Sequence, residues 1–328
     1  MATAQQLKAL IESYTEHDPD RFLSVASQIA AHAARAGKER LAQELLKLIE
    51  QARRSVAAAP QGMQVVPIAQ PTGELSGLVS ATFPKTQLSD MVLTEEMRSR
   101  LERVLLEYRQ SDRLMSHGLL PRRKLLLLGP PGCGKSMTAA ALAGELHLPL
   151  LTVQFHTLIT KFMGETAAKL RLVFDAMMKS RGVYLFDEFD ALGAHRQSGH
   201  DVGEIRRVLN SFLIFLEQDQ SGGLIISASN LEGALDPALF RRFDDVLRYG
   251  IPTREQIQRL ITGRLAAFET NGIAWKAVLT LAEGMSHADI VKACEDAAKQ
   301  AVLDDRRRID SADLKQALEQ RHRPVTPS

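Results

Sequence analysis

The sequence predicts an α/β protein in which a parallel five-stranded sheet follows an N-terminal three-helix bundle and precedes a small helical subdomain. Apolar runs alternate with helical segments between residues 124 and 250, as in parallel sheets covered on both faces. Residues 1–57 instead carry three short amphipathic stripes, and after Ile251-Pro252 no strand pattern returns. We therefore expect a large α/β subdomain over residues 77–252 and a helical lid subdomain over residues 253–322.

The N-terminal bundle is joined to the sheet by a linker. Its first stripe places Leu7, Leu10 and Ile11 on one helical face. Residues 58–76 contain three prolines and two glycines without periodicity, which is typical of a linker. The bundle is compatible with docking a substrate or partner, and equally with oligomerisation. A polar tail, residues 323–328, ends the sequence.

Composition excludes several classes of protein. A net charge of +2 over 328 residues gives no overall attraction to nucleic acid or to a membrane, and we expect neither as a partner. The two cysteines, Cys133 and Cys294, have neither metal-ligand spacing nor a disulfide framework. We expect a reduced, cytoplasmic setting. No apolar run approaches the length that spans a bilayer.

A phosphate-binding pattern follows the first strand of the sheet. The candidate strands are residues 124–128, 150–155, 183–187, 223–229 and 246–250. Leu125–Leu128 ends at Gly129, and the loop Gly129–Ser136 then fits Gly-x4-Gly-Lys-Ser before an alanine-rich helix. Backbone N–H groups of such a loop bind an anion; Lys135 would reach the outer phosphates, and Ser136 would bind Mg²⁺. The alternative is a tight strand-to-helix turn.

Two acids end the third strand. Val183–Asp187 is apolar up to Asp187, and Glu188 follows. A carboxylate at a strand end beside a phosphate loop can hold Mg²⁺, so we assign Asp187 this role. Glu188 could polarise a water molecule for attack on the γ-phosphate. The alternative is a strand that ends at a capped turn.

Polar side chains also follow the next strand. Asn230 could orient the attacking water or sense the γ-phosphate, although an Asn that starts a turn would look the same. Asp236-Pro237 predicts a short helix that presents Arg241 and Arg242 near its end. A guanidinium can bind two phosphate oxygens at once, and in a ring these arginines would reach a neighbour's nucleotide. The alternative is a surface salt-bridge pair.

These motifs resemble those of AAA-type ATPases, in order and at usual intervals. The matching segments are Gly129–Ser136, Leu185–Leu192, Ser229-Asn230, Leu235–Asp244 and the lid motif Gly284–Ile290. The resemblance covers roughly residues 77–320 and implies hydrolysis of ATP to ADP and phosphate, with ATP and Mg²⁺ as cofactors. It implies a homo-oligomeric ring, usually of six subunits, with each ATP at a subunit interface.

The resemblance also assigns roles to residues. It makes Asp187 and Glu188 the Walker B pair, Asn230 the first sensor, and Arg241 and Arg242 arginine fingers. The implied nucleotide-binding residues are Gly129, Pro130, Pro131, Gly132, Cys133, Gly134, Lys135, Ser136, Met137 and Asp187, with His287 and Ala288 at the lid positions next to the nucleotide.

Three departures from the family pattern qualify the resemblance. Residues 89–92, Ser-Asp-Met-Val, stand where many members have Asp-Ile-Gly-Gly, a segment that helps to seat adenine. His287 stands where many members have Gly. Ala288 occupies the second-sensor position, which holds no arginine here; this favours the protein-remodelling branch of the family.

A further segment resembles the central-pore loop of family members that pull on polypeptide. It comprises Lys161, Phe162, Met163 and Gly164, between the second and third strands. Phe162 and Met163 would grip varied side chains, and Gly164 would permit the sharp backbone that projects them. The alternative is a Phe and a Met packed in the core. A polar, glycine-rich loop at residues 193–203 is a second candidate for the pore.

The leading hypothesis is an ATP-driven ring that unfolds or remodels protein substrates by threading, with the N-terminal bundle choosing them. Two alternatives remain: a nucleic-acid motor or loader on the same ATPase core, and an ATP-dependent assembly switch that acts on a partner protein. Small bacterial ATPases that look like this chain can work beside a separate serine protease, so a protease is a candidate partner.

Overall fold

The computed structural model describes residues 75, 77–155, 158, 165–190, 202–235 and 237–321, together with Lys47. The chain divides into two units, Met1–Ile68 and Ala69–Ser328, and the following description concerns the second unit. Four predicted parts lie outside the described residues: the N-terminal bundle apart from Lys47, the loop Lys161–Gly164, Asp236 and the tail. The same holds for residues 191–201 and for all of the predicted linker except Leu75.

Six strands form one sheet, and five of them are the predicted ones. They are β1 (Val79–Thr82), β2 (Lys124–Leu128), β3 (Leu150–Gln154), β4 (Val183–Asp187), β5 (Leu224–Ser229) and β6 (Asp245–Arg248). The prediction of a parallel α/β sheet is confirmed, but it was one strand short: β1 pairs antiparallel with β3 at the edge of the sheet. β1 has only four residues and mixed burial, so its sequence lacks the apolar run that marks the other strands.

Helices cover the sheet and form the lid subdomain. They are α1 (Glu95–Arg109), α2 (Ser111–Met115), α3 (Lys135–Leu146), α4 (Thr166–Met177), α5 (Val202–Gln218), α6 (Pro237–Phe240), α7 (Arg254–Arg264), α8 (Trp275–Ala282), α9 (His287–Leu303) and α10 (Ser311–Arg321). Short 3-10 turns lie at Leu88–Asp90 and Glu232–Ala234. Within the described residues, no helix has the length and apolarity needed to cross a membrane.

The four leucines of β2 divide the core into two layers. Their side chains alternate between the faces of the sheet, and all four are buried. Leu126 and Leu128 belong to a cluster rich in phenylalanine, whereas Leu125 and Leu127 pack in a second cluster with α1 and α3. The buried phenylalanines of the first cluster are Phe155, Phe174, Phe186, Phe189, Phe212 and Phe243. A strand buried on both faces is therefore what Leu125–Leu128 forms, as the sequence predicts.

The lid subdomain has its own hydrophobic core. Ile257 and Ile261 of α7 pack there with Ile290 and Cys294 of α9. Two of its helices begin at side-chain caps: Thr253 accepts a hydrogen bond from the backbone N–H of Gln256, and Ser286 caps α9 in the same way. The cap at Ser286 fixes where α9 begins, next to the phosphate loop.

The strand order brings three loops together. The order is β1-β3-β4-β5-β2-β6, so that β5 lies between β4 and β2. Because β2, β4 and β5 are parallel, their carboxyl ends lie at the same edge of the sheet. The phosphate loop after β2, Asp187 at the end of β4 and Asn230 after β5 consequently meet, although they are distant in the sequence.

Candidate active site

The phosphate loop Gly129–Ser136 has a backbone that requires glycine. Gly129 has a φ of 143°, and a Cβ there would overlap the backbone carbonyl of Tyr249. Gly132 has a φ of 75°, and its missing Cβ leaves room for Ser286 and Ala288 of the lid. Helix α3 begins at Lys135, so the free N–H groups of its first turn lie at the end of the loop.

Lys135 joins the phosphate loop to the end of β5. Its Nζ donates hydrogen bonds to the carbonyl oxygens of Gly129, at 2.7 Å, and Pro130, at 2.9 Å. The third donation goes to Oδ1 of Asn230, at 2.8 Å. The side chain is largely buried, and burial lowers the pKa of its ammonium. The three donors of the ammonium are thus all directed toward the loop and the sensor position.

Ser136 and Asp187 form the second link across the sheet edge. The hydroxyl of Ser136 donates to Oδ2 of Asp187 at 2.9 Å, and Oδ1 of Asp187 accepts from the backbone N–H of Glu188 at 2.9 Å. A hydroxyl beside a carboxylate fits Mg²⁺, which prefers oxygen ligands and usually completes its shell with water and substrate phosphates. The described residues contain no group of three or more His, Cys, Asp or Glu side chains suited to a metal.

Glu188 has a constrained backbone. Its φ of 54° lies in the left-handed region, which residues other than glycine adopt infrequently. Such a backbone is retained where the surrounding structure fixes it, here by the preceding strand and by the hydrogen bond to Asp187. The residue predicted to polarise water is therefore held directly after the carboxylate predicted to bind the metal.

Asp190 is a residue of the site that the sequence analysis did not single out. Its Oδ1 accepts a hydrogen bond from the backbone N–H of Asn230 at 3.1 Å. The bond connects the turn after β4 to the turn after β5. By holding the backbone of Asn230, it also positions the side-chain amide of that residue. The signal was present in the sequence, because another acid stands two residues after Glu188, but nothing local assigns its partner.

Met91 and Tyr249 also lie against the phosphate loop without having been predicted. Met91, in the segment that departs from the family pattern, is buried, and its methyl carbon is 3.5 Å from the position of a Cβ on Gly134. The hydroxyl of Tyr249 shares a hydrogen bond of 2.7 Å with that of Thr138 in α3. Burial raises the pKa of Tyr249 to about 12, although the bond to Thr138 opposes the rise.

The lid helix α9 touches the phosphate loop directly. The backbone N–H of Ala288 donates to the carbonyl of Gly132 at 3.0 Å, and the backbone of His287 lies near the sulfur of Cys133. Cys133 is buried, and burial raises the pKa of its thiol, so it does not behave as a reactive thiolate. The structure thus brings His287 and Ala288 to the loop, whereas Met137 lies on its exposed side.

The two candidate arginine fingers differ in their surroundings. Both follow α6 and are exposed. Nη1 of Arg242 lies 3.1 Å from Oε1 of Glu217, in an exposed ion pair. Arg241 has no ion pair within the described part of the chain. Among the same residues, no hydrogen bond or ion pair connects either arginine to the phosphate loop.

Comparison with known proteins gives the family. The model of the ATPase family associated with various cellular activities (AAA) matches residues 125–251. An AAA family ATPase of Sinorhizobium fredii, y4kL, is 34% identical over 322 residues, which cover 97% of this chain and 95% of that protein. The chain belongs to the AAA family of ATPases. The AAA ATPase hydrolyses ATP to ADP and phosphate, as the motifs predict.

Other relatives resemble part of this AAA ATPase. The proteasome-activating nucleotidase of Methanothermobacter thermautotrophicus is 32% identical over 237 residues, which cover 69% of this chain and 57% of that protein. Among solved structures, the AAA domain of FIGL-1 superposes with a TM-score of 0.61 at 24% identity, covering 77% of this chain and 88% of that one. The structural likeness supports the fold of the sheet and lid.

Proposed function

We propose that this AAA ATPase forms a ring and uses ATP hydrolysis to unfold or remodel protein substrates, which it threads through a central pore. One observation carries the proposal. Arg241 is exposed and has no ion pair within the described ranges, and the same chain builds a nucleotide site from three strand ends. An exposed guanidinium on the surface of an ATPase domain can bind a phosphate group held by another subunit.

Within one subunit, we assign the nucleotide to the phosphate loop. Lys135 would exchange its bonds to the loop carbonyls and Asn230 for the outer phosphates, which accept hydrogen bonds more strongly because they are charged. Ser136 and Asp187 would hold Mg²⁺, since they place two oxygen atoms 2.9 Å apart at the same point. A bound Mg²⁺ would neutralise charge on the outer phosphates.

Glu188 and Asn230 would act on the attacking water. Glu188 would accept its proton, and the fixed backbone at this residue favours one placement of the carboxylate. Asn230 would orient the same water or sense the γ-phosphate, because its amide already lies 2.8 Å from the ammonium that binds the outer phosphates. Asp190 would keep this amide in place through the backbone of Asn230.

Protein substrates are the class that the relatives favour. One relative is named a proteasome-activating nucleotidase, and another, from Helicobacter felis, is an ATP-dependent zinc metalloprotease that is 28% identical over 257 residues. The second match covers 75% of this chain and 40% of that protein. We propose that Lys161, Phe162, Met163 and Gly164 grip the polypeptide, and we retain a separate protease as a candidate partner.

The test separates threading from hydrolysis. Phe162→Ala should leave ATP turnover close to that of the wild type and abolish unfolding of a fluorescent protein that carries an unstructured tag. Phe162→Tyr is the matched control, because it keeps a large aromatic contact, and it should retain unfolding. Glu188→Gln should bind ATP and lose both activities.

Two results would overturn the proposal. One is full unfolding activity in Phe162→Ala, which would exclude threading through this loop. The other is ATP turnover that DNA or RNA stimulates and unfolded protein does not, which would favour a nucleic-acid motor. Ring formation is measured separately, by electron microscopy of nucleotide-bound Glu188→Gln.

A further inference from the structure

His287 is held against the phosphate loop by its own backbone and by its neighbours. The backbone of His287 lies near the sulfur of Cys133, and the N–H of Ala288 donates to the carbonyl of Gly132 at 3.0 Å. Ser286 lies where a side chain on Gly132 would be, with its hydroxyl 2.6 Å from that position. These contacts fix the start of α9, and hence the backbone of His287, relative to the loop.

The two nitrogens of this imidazole have different environments. Nδ1 is buried and has no hydrogen-bond partner among the described residues. Nε2 is not both buried and without a partner. Burial lowers the pKa of His287, and no neighbouring charge opposes the effect. The ring is therefore neutral at neutral pH and carries a single N–H.

The position of that proton follows from the burial of Nδ1. A buried N–H without an acceptor costs about 1–3 kcal/mol, and buried donors without partners are rarer in proteins than acceptors without them. A proton on Nδ1 would create such a donor, whereas a proton on Nε2 leaves only a lone pair in the buried position. The favoured tautomer of His287 therefore carries its proton on Nε2.

The two ends of the phosphate loop are occupied by different groups. Nζ of Lys135 contacts Gly129 and Pro130 at the first end, where the outer phosphates are expected. His287 and Ala288 contact Cys133 and Gly132, further along the loop. With the outer phosphates at Lys135, the proposed placement directs the ribose and base of the nucleotide toward the lid.

We infer that His287 is a specificity residue of the nucleotide site, whose Nε2–H donates a hydrogen bond to an acceptor on the ribose or base. This inference rests on the proposed placement of the nucleotide. A neutral donor in a fixed tautomer favours a nucleoside that presents an oxygen or a ring nitrogen there, and disfavours one that presents another donor. The acceptor is one of two kinds, a ribose hydroxyl oxygen or a purine ring nitrogen.

Calorimetric titration of the full chain with ADP and its analogues tests the inference. The analogues each lack one acceptor: a ribose hydroxyl in the 2′-deoxy and 3′-deoxy forms, or a ring nitrogen in the 3-deaza and 7-deaza forms. The wild type should bind one class of analogue about tenfold more weakly than ADP, as expected for one hydrogen bond. Equal affinity for ADP and all four analogues would overturn the inference without any substitution.

Three variants then assign the effect to Nε2. His287→Ala should bind ADP about tenfold more weakly and should no longer discriminate against that analogue. His287→Gln, whose amide N–H lies near the Nε2 position, should restore both properties, whereas His287→Asn, whose amide lies near Nδ1, should not. Rescue by Asn and not by Gln would overturn the inference.

Lys135→Ala distinguishes this inference from the proposed site. That variant should lose affinity for ADP and for every analogue alike, because it removes a phosphate contact. If Lys135→Ala bound ADP as the wild type does, the placement of the phosphates would be wrong. If it lost ADP while His287→Ala bound all ligands as the wild type does, only the role of His287 would be refuted.

Discussion

The ammonium of Lys135 and the side-chain amide of Asn230 are directly hydrogen-bonded, at 2.8 Å, although 95 residues separate them in the sequence. One residue begins α3 and the other follows β5, so the bond joins two loops at the carboxyl edge of the sheet. The fold itself therefore places Lys135, the proposed phosphate ligand, in direct contact with Asn230, the proposed sensor.

The first prediction concerns this pair. In Asn230→Ala, Lys135 keeps two carbonyl acceptors, so we expect the Kd for ATP to change little. We expect kcat to fall about 100-fold, because one group that orients the reaction is lost. Nucleotide titration and phosphate release measure the two quantities. Asn230→Asp is the contrasting variant: its carboxylate would pair with Lys135 and weaken ATP binding. A normal kcat with weakened ATP binding in Asn230→Ala would contradict the sensor role.

The second prediction compares two helical glycines. A Cβ on Gly144 in α3 would overlap the backbone carbonyl of Thr86, whereas one on Gly263 in α7 would meet nothing within 4 Å. Gly144→Ala should lower the free energy of unfolding by about 1–3 kcal/mol through overpacking. Gly263→Ala should raise it by about 0.5–1 kcal/mol, because alanine has the higher helix propensity. Urea unfolding followed by circular dichroism measures both. Equal shifts in the two variants would refute the packing argument.

The third prediction distinguishes the two arginines. Arg241→Ala should lower kcat by on the order of 10³-fold, with the Kd for ATP nearly unchanged, if the guanidinium completes a neighbour's site. Arg242→Ala removes an exposed ion pair with Glu217, so its effect on stability should be below about 1 kcal/mol and its effect on kcat smaller than that of Arg241→Ala.

Mixing experiments show whether the site of Arg241 is shared. Lys135→Ala subunits would lack a working phosphate loop but keep Arg241, and Arg241→Ala subunits would have the reverse defect. A mixture of the two inactive proteins should recover ATP turnover, since some interfaces combine two intact halves. Absence of recovery from mixtures that do co-assemble would place Arg241 outside the neighbour's site.

The fourth prediction concerns the buried tyrosine at the end of β6. Because the pKa of Tyr249 is raised to about 12 in the folded protein, its contribution to stability is complete below the unfolded pKa of about 10. That contribution is lost as the pH rises from there toward 12. Tyr249→Phe should cost about 1 kcal/mol at neutral pH, through the lost bond to Thr138, and should lose stability less steeply in this window. Urea unfolding of both proteins across the alkaline range measures the difference. Identical alkaline profiles would contradict it.

The elements with strong local signals were predictable. The four consecutive leucines Leu125–Leu128 predict a strand buried on both faces, and the glycine spacing after them predicts a phosphate loop. β1 was missed because an edge strand of four residues carries little apolar pattern. Met91, Asp190 and Tyr249 were missed for a different reason: each acts through a partner that only the packing of distant segments supplies.

By itself the sequence determined the family and its chemistry, because five motifs occur in order and each motif is recognised from residues that are adjacent in the sequence. The tertiary structure decided which side chains meet. The placement of β5 beside β2 joins Asn230 to Lys135, and Glu217 pairs with Arg242 but not with Arg241. The burial of one ring nitrogen sets the tautomer of His287. Strand order and the pairing of particular side chains arise from contacts between segments far apart in the chain, and the local periodicity of a sequence does not specify these contacts.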